Sequence, residues 1–147
     1  MSKYYDDLEI GDETATMGRT VTEADIINFA GLTGDWHELH TNAEYAAQTM
    51  FKQRIAHGAL IFSIATGLSV RSGGRSEAVL AFYGVDRLRF VKPTFIGDTI
   101  HVRQKVETKS PRDEASGIVT FSNEVINQYG EVVVSYKAKV MLKRRSA

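Results

Sequence analysis

The chain has 147 residues, 43% of them hydrophobic, enough for one globular domain with its own core. Lysine plus arginine and aspartate plus glutamate balance at 18 each, for a formal net charge of zero, which argues against a nucleic-acid binder driven by bulk electrostatics. The absence of cysteine excludes disulfides, thiolate metal sites and a cysteine nucleophile. The N-terminal MSKYYDDLEIGDE lacks the apolar core of a signal peptide. The apolar run Ala59–Val70 falls short of the roughly 20 residues that a membrane span needs. A cytoplasmic protein with no membrane and no nucleic-acid partner is expected.

No repeat, low-complexity tract or linker divides the chain, so residues 1–147 read as a single domain. A turn at Gly11-Asp12 leads into a first strand over Glu13–Val21. Thr22 with Asp25 three residues on has the form of a capping box opening a helix. Ile26, Ile27, Phe29, Ala30 and Leu32 give that helix a wide apolar face, and Gly34 ends it. Asn42 caps a short helix over Ala43–Met50. Gly58 starts a third helix, running to about Val70, apolar on nearly every side and so expected to be buried all round. Ser72-Gly73-Gly74 breaks it and marks a loop.

Everything beyond reads as strand. Val79–Val91 is the first; Pro93 to Asp98 turn the chain; Ile100, Val102 and Val106 then alternate with charged neighbours. Ile118–Asn127 and Glu131–Lys143 flank the hairpin signal Gln128-Tyr129-Gly130. One large antiparallel sheet and one greasy helix predict an α+β fold in which the sheet curls around the helix.

The polar turn GDWHELH carries Asp35 and His40, and a carboxylate–imidazole pair can handle the protons of a hydration. The bland alternative is a solvated turn with Asp35 as a cap. His57-Gly58 opens the apolar helix. A glycine amide there presents an unpaired N–H reinforced by the helix dipole, suited to an anionic oxygen; otherwise Gly58 only permits a tight helix start. His57 reads as a hydrogen-bonded structural residue. Ser63, five residues into the helix, could line a pocket or bond back within its own helix. The histidines of His37-Glu38-Leu39-His40 are three apart, where the zinc-protease motif needs four, so no metal is expected. Arg71, Arg75 and Lys143-Arg144-Arg145 offer either solvated charge or a clamp for a phosphorylated handle.

The stretch VTEADIINFAGLTGDWHELHTNAEYAAQTMFKQRIAHGALIFS closely resembles the MaoC-like dehydratases, also called (R)-specific enoyl-CoA hydratases. Their pattern is an acid, an Asn-Pro, a histidine, an alanine-rich helix and an (I/V)-x-H-G start to the central helix. GVDRLRFVKPTFIGDTIHV is similar to the family's strand–turn–strand, and the likeness covers roughly residues 8 to 142. It implies a hot-dog fold, in which a long antiparallel sheet wraps a central helix starting at Gly58. It places the catalytic pair on Asp35 and His40, the oxyanion amide on Gly58 and the helix serine on Ser63. One departure stands out: the family's Asn-Pro is His37-Glu38 here.

The implied activity is reversible hydration of a trans-2-enoyl thioester to an (R)-3-hydroxyacyl thioester. Asp35 is expected to accept the water proton and His40 to supply one to the α-carbon. Trp36, Phe51, His57 and Ser63 are the expected substrate-binding residues. The partner is an acyl-CoA or acyl-carrier-protein thioester, no further cofactor is needed, and a homodimer or an assembly of dimers is implied. A hot-dog thioesterase and a non-catalytic acyl-thioester-binding protein are the rival readings, since fold alone does not decide.

Overall fold

The computed structural model describes residues 3–72 and 77–145; the expected loop glycines Gly73 and Gly74, and Arg75, lie outside them. After a 3-10 turn at Tyr5–Asp7 come β1 (Glu13–Ala15), β2 (Arg19–Thr20), α1 (Glu23–Thr33), α2 (Glu38–Thr41), α3 (Ala43–Ala47) and α4 (Gly58–Ser72). The strands β3 (Val79–Phe90), β4 (Thr99–Pro111), β5 (Ser116–Ile126) and β6 (Val132–Lys143) follow. The sheet is antiparallel in the order β1-β4-β5-β6-β3, with β2 also paired to β4. This is the expected α+β arrangement of one long sheet against one helix.

Period-two alternation sets the inner face of the sheet. In register across β4, β5 and β6 stand Val102, Val125 and Val134, then Gln104, Asn123 and Tyr136, then Val106, Phe121 and Ala138. α4 lies against β4 and β6. Its Leu60, Ile61, Ala65 and Leu68 share a core with Ile26, Ile100, Val102, Val125, Val134 and Tyr136.

Three expectations need correction. The single strand over Glu13–Val21 is two short strands, because the Val102 N–H donates to Thr16 Oγ1 (2.9 Å) where a main-chain carbonyl would continue the ladder. The helix capped by Asn42 stops at Ala47 rather than Met50, followed by a turn in which Lys52 takes a left-handed φ of 64°. α4 is not buried all round: the sheet covers one side, and Ala59, Ser63, Gly67 and Val70 are exposed on the other. Among the described residues no helix is long and apolar enough to cross a membrane.

Candidate active site

Three local devices deliver the acid and the histidine. Thr22 and Asp25 close the capping box that starts α1, and Gly34, at φ 78°, turns the chain out of it. Asp35 follows, exposed, with its N–H on Thr33 Oγ1 (3.2 Å) and its Oδ1 accepting from the His37 N–H (3.3 Å). His37 is then the N-cap of α2, its Nδ1 accepting the Leu39 N–H at 3.0 Å. That is the service an asparagine carbonyl performs at the same place. Glu38 occupies the first helical position, where proline is otherwise favoured, and its carboxylate accepts from Asn42 Nδ2 (2.9 Å). The departure from the family's Asn-Pro therefore leaves the turn capped.

α2 presents His40 half-buried. Its Nδ1 is 2.7 Å from the Ile55 carbonyl. A carbonyl only accepts, so Nδ1 carries the hydrogen and Nε2 keeps its lone pair. Arg54 holds the backbone beneath, its Nε donating to the His40 carbonyl (2.7 Å) and its Nη1 to Glu23 on α1 (2.6 Å). Burial pushes the His40 imidazole below its ordinary value of 6.5; the Ile55 carbonyl pulls upward, His57 adds to the lowering, and Asp35 opposes it.

His57 reaches the same spot from the other side. It is 2% exposed. Its Nε2–H donates to the Asp35 carbonyl (2.9 Å), its ring stacks on His40 with centroids 3.8 Å apart at 26°, and Phe29 meets its edge at 5.0 Å. A carboxylate oxygen of Asp35 and one ring nitrogen each of His40 and His57 all lie within 4.8 Å of one another. Those three groups could be taken for a metal site. The two rings, however, lie nearly parallel, so their lone pairs run side by side instead of meeting at one point, as tetrahedral ligation requires. An Asp35–His40 separation of at most 4.8 Å is one that a single water could span.

Gly58 begins α4 next to this cluster. The first helical amides have no intrahelical acceptor, and among the described residues the Gly58 N–H donates to no protein group. The Phe90 ring packs so closely that a Cβ at Gly58 would lie 2.7 Å from it. Any larger residue at Gly58 would have to displace the Phe90 ring, which is 55% exposed.

The remaining sequence candidates stand apart. Ser63 Oγ donates to the Ala59 carbonyl (2.8 Å), the back-bond within its helix. Trp36 is 52% exposed and Phe51 half-buried; neither contacts the described cluster through a ring interaction. Arg144 and Arg145 are engaged by Asp6 and Asp7 (3.4 and 2.7 Å), so that end of the supposed phosphate clamp is already neutralised within the fold.

Sequence reasoning missed one feature, a cavity of about 310 Å³ at the far half of α4, lined by Thr66, Ser69, Phe82, Phe121, Asn123 and Tyr136 among others. Asp35, His40 and His57 are not among its walls. Burial pushes the Tyr136 hydroxyl up to about 12. The signal available in sequence was the pair Gln104 and Asn123, polar residues on a strand face otherwise apolar; they bond each other at 2.8 Å.

Residues 7–129 match the family described as MaoC like domain. The chain is 36% identical over 142 residues to the (R)-specific enoyl-CoA hydratase of Rhodospirillum rubrum, covering 97% of this chain and 93% of that one. It is 42% identical over 114 residues to protein MaoC of Klebsiella aerogenes, covering 78% of this chain but only 33% of that longer protein. A solved structure described as a monoamine oxidase regulatory protein from Archaeoglobus fulgius superposes with TM-score 0.92 at 39% identity, covering 99% and 97% of the two chains. A Mycobacterium tuberculosis protein described as having a double hot-dog fold superposes with TM-score 0.83 at 22% identity, covering 98% of this chain and 45% of that one, which identifies the wrapped helix and sheet as a hot-dog. On the match over residues 7–129 and the 36% identity to the Rhodospirillum rubrum hydratase along nearly the whole of both chains, the chain belongs to the MaoC-like dehydratase family.

Proposed function

We propose that the protein is a hydro-lyase that reversibly adds water to a trans-2-enoyl thioester, giving the (R)-3-hydroxyacyl thioester. Asp35 and His40 handle the protons, and the Gly58 amide stabilises the oxyanion. The observation that carries this reading is His40 itself: its Nδ1–H is committed to Ile55, leaving Nε2 as the lone-pair nitrogen of a ring that has one nitrogen within 4.8 Å of an Asp35 carboxylate oxygen. The similarity to the (R)-specific hydratase of Rhodospirillum rubrum supports both the reaction and its stereochemistry.

In this mechanism one water bridges Asp35 and His40 Nε2. As its oxygen bonds to Cβ, one of its protons passes to the pair. The C=C π electrons move towards Cα and onto the thioester oxygen. The Gly58 N–H, at the positive end of α4, meets that charge. The pair then delivers a proton to Cα, the thioester carbonyl re-forms, and both residues end as they began. Neutral His40 has no Nε2 proton to give at the outset. Acceptance on Asp35 and delivery from His40 therefore describe one shared proton handled by two groups.

The substrate handle is coenzyme A or a carrier protein, with no further cofactor and no metal, and the working unit is a homodimer. Crotonyl-CoA mixed with the purified protein should lose its enoyl absorbance without releasing free thiol. Thiol release would make the protein a thioesterase, and binding without turnover would make it an acyl-thioester-binding protein; either result overturns the reading.

A further inference from the structure

Four consecutive residues, Ile55 to Gly58, touch every part of the site. The Ile55 carbonyl fixes the His40 tautomer (2.7 Å). Ala56 anchors the segment, its N–H donating to the Thr94 carbonyl (2.8 Å). Gly58 offers the open amide. Between them, His57 makes contacts that a packing residue would not need. Its position is fully internal, at 2% exposure, and its Nδ1 is buried without a hydrogen-bond partner. An unpaired buried nitrogen destabilises the fold relative to an apolar side chain of similar shape. Simple core filling therefore does not explain a histidine here.

What the imidazole adds is one donor and one flat polar ring. The donor ties the Asp35 main chain from 22 residues away (2.9 Å). The ring lies under His40 at 3.8 Å and is itself braced edge-on by Phe29. We propose that His57 is a positioning residue, which sets the Asp35 backbone with its Nε2–H and the His40 ring plane with its face, and so fixes the distance that the bridging water must span. The inference rests on Asp35 and His40 being the reacting pair. Because the Asp35 carbonyl only accepts, His57 works as the neutral Nε2–H tautomer. Doubly protonated, it would have a second N–H with no acceptor.

The groups that face His40 are Asp35 and His37 from its own turn, His57 from the segment before α4, and Arg54, which is paired with Glu23. Among these, His57 covers the ring. Removing its ring lets water reach His40 and raises the pH at which His40 gains a proton. Removing only its N–H does not.

Two substitutions separate the two contacts. His57→Phe keeps a ring under His40 and loses the tie to Asp35. His57→Gln keeps a donor and loses the ring. Each should lower kcat about 10–100-fold with KM nearly unchanged, the scale expected when reacting groups are misplaced by about an ångström. The acidic limb of the pH profile should move to higher pH in His57→Gln and stay in place in His57→Phe. In a His40→Gln background, either change should cost little more. Unchanged kcat and an unmoved limb in both variants, with only a lower Tm, would reduce His57 to packing and overturn the proposal. If Asp35→Asn and His40→Gln themselves turn over normally, the catalytic reading has failed instead. Should the variants not fold, imidazole nitrogen NMR of the wild-type protein decides: a His57 carrying its hydrogen on Nε2 is expected. A His57 carrying its hydrogen on Nδ1 overturns the tie to Asp35.

Discussion

At the scale of single residues, the proposed roles of Asp35 and His40 stand or fall on whether the two share one water. Groups acting on one proton are non-additive when removed. Asp35→Asn and His40→Gln should each lower kcat by about 10²–10⁴-fold, and the double variant should be little worse than either. Multiplicative losses would show two independent roles. The pH dependence has a definite sign. Folding holds His40 below 6.5, chiefly by burying it, so protonation is disfavoured in the native state. The acidic limb of kcat/KM should therefore lie below the ordinary imidazole range. The same group contributes to stability above pH 6.5 and loses that contribution as pH falls from there through its depressed native value, where the unfolded chain binds more protons. A limb at or above 6.5 would contradict the burial of His40. Full turnover after exhaustive chelation is expected too, because the His40 and His57 rings are stacked rather than convergent; loss restored by zinc would revive the metal reading.

Among elements, the turn α2 shows how a sequence departure can preserve a structure. His37 sits at φ −52°, ψ 137° and caps with Nδ1, a backbone that also suits the residue before a proline. The double variant His37→Asn, Glu38→Pro should thus keep the cap and raise Tm by about 1–4 °C, through loss of freedom in the unfolded chain. His37→Ala should instead cost about 1 kcal/mol for the missing cap and reduce turnover, because His40 stands on the same turn. Thermal melts of both check the argument. Such local devices were readable in the sequence: the Thr22–Asp25 box, the Gly34 stop and the Asn42 cap are each written within four residues, and the four long strands follow from alternation. The break in Glu13–Val21 was not, because it depends on a Thr16 hydroxyl bonding a residue 86 positions away. The His57 tie spans 22 positions and the His40–Ile55 bond 15. Neither leaves a periodic trace, so the site's residues could be named while its cross-links could not.

For the whole molecule, β3 carries a dense run of exposed large apolar side chains, with Val70 of α4 nearby. β3 is an edge strand on which Leu80, Phe82, Tyr83 and Phe90 are 47%, 54%, 59% and 55% exposed; Val70 of α4 is 68% exposed beside the cavity that Val79 and Phe82 help to line. An unpaired edge this apolar is a template for association, and a second copy of the chain covers it most economically, since a two-fold axis uses the same patch twice. The edge also leads into the site, through the Phe90 ring packed on Gly58. Sedimentation at micromolar concentration should therefore give twice the chain mass. Phe82→Asp should remove about 1.5–3 kcal/mol of apolar burial from each protomer, weakening dimerisation by roughly two to four orders of magnitude, and turnover should fall as Phe90 loosens from the helix start. A wild-type protein that sediments only as a monomer would show that the β3 edge is solvated in the working enzyme. A Phe82→Asp monomer with full turnover would show that the site is complete within one chain.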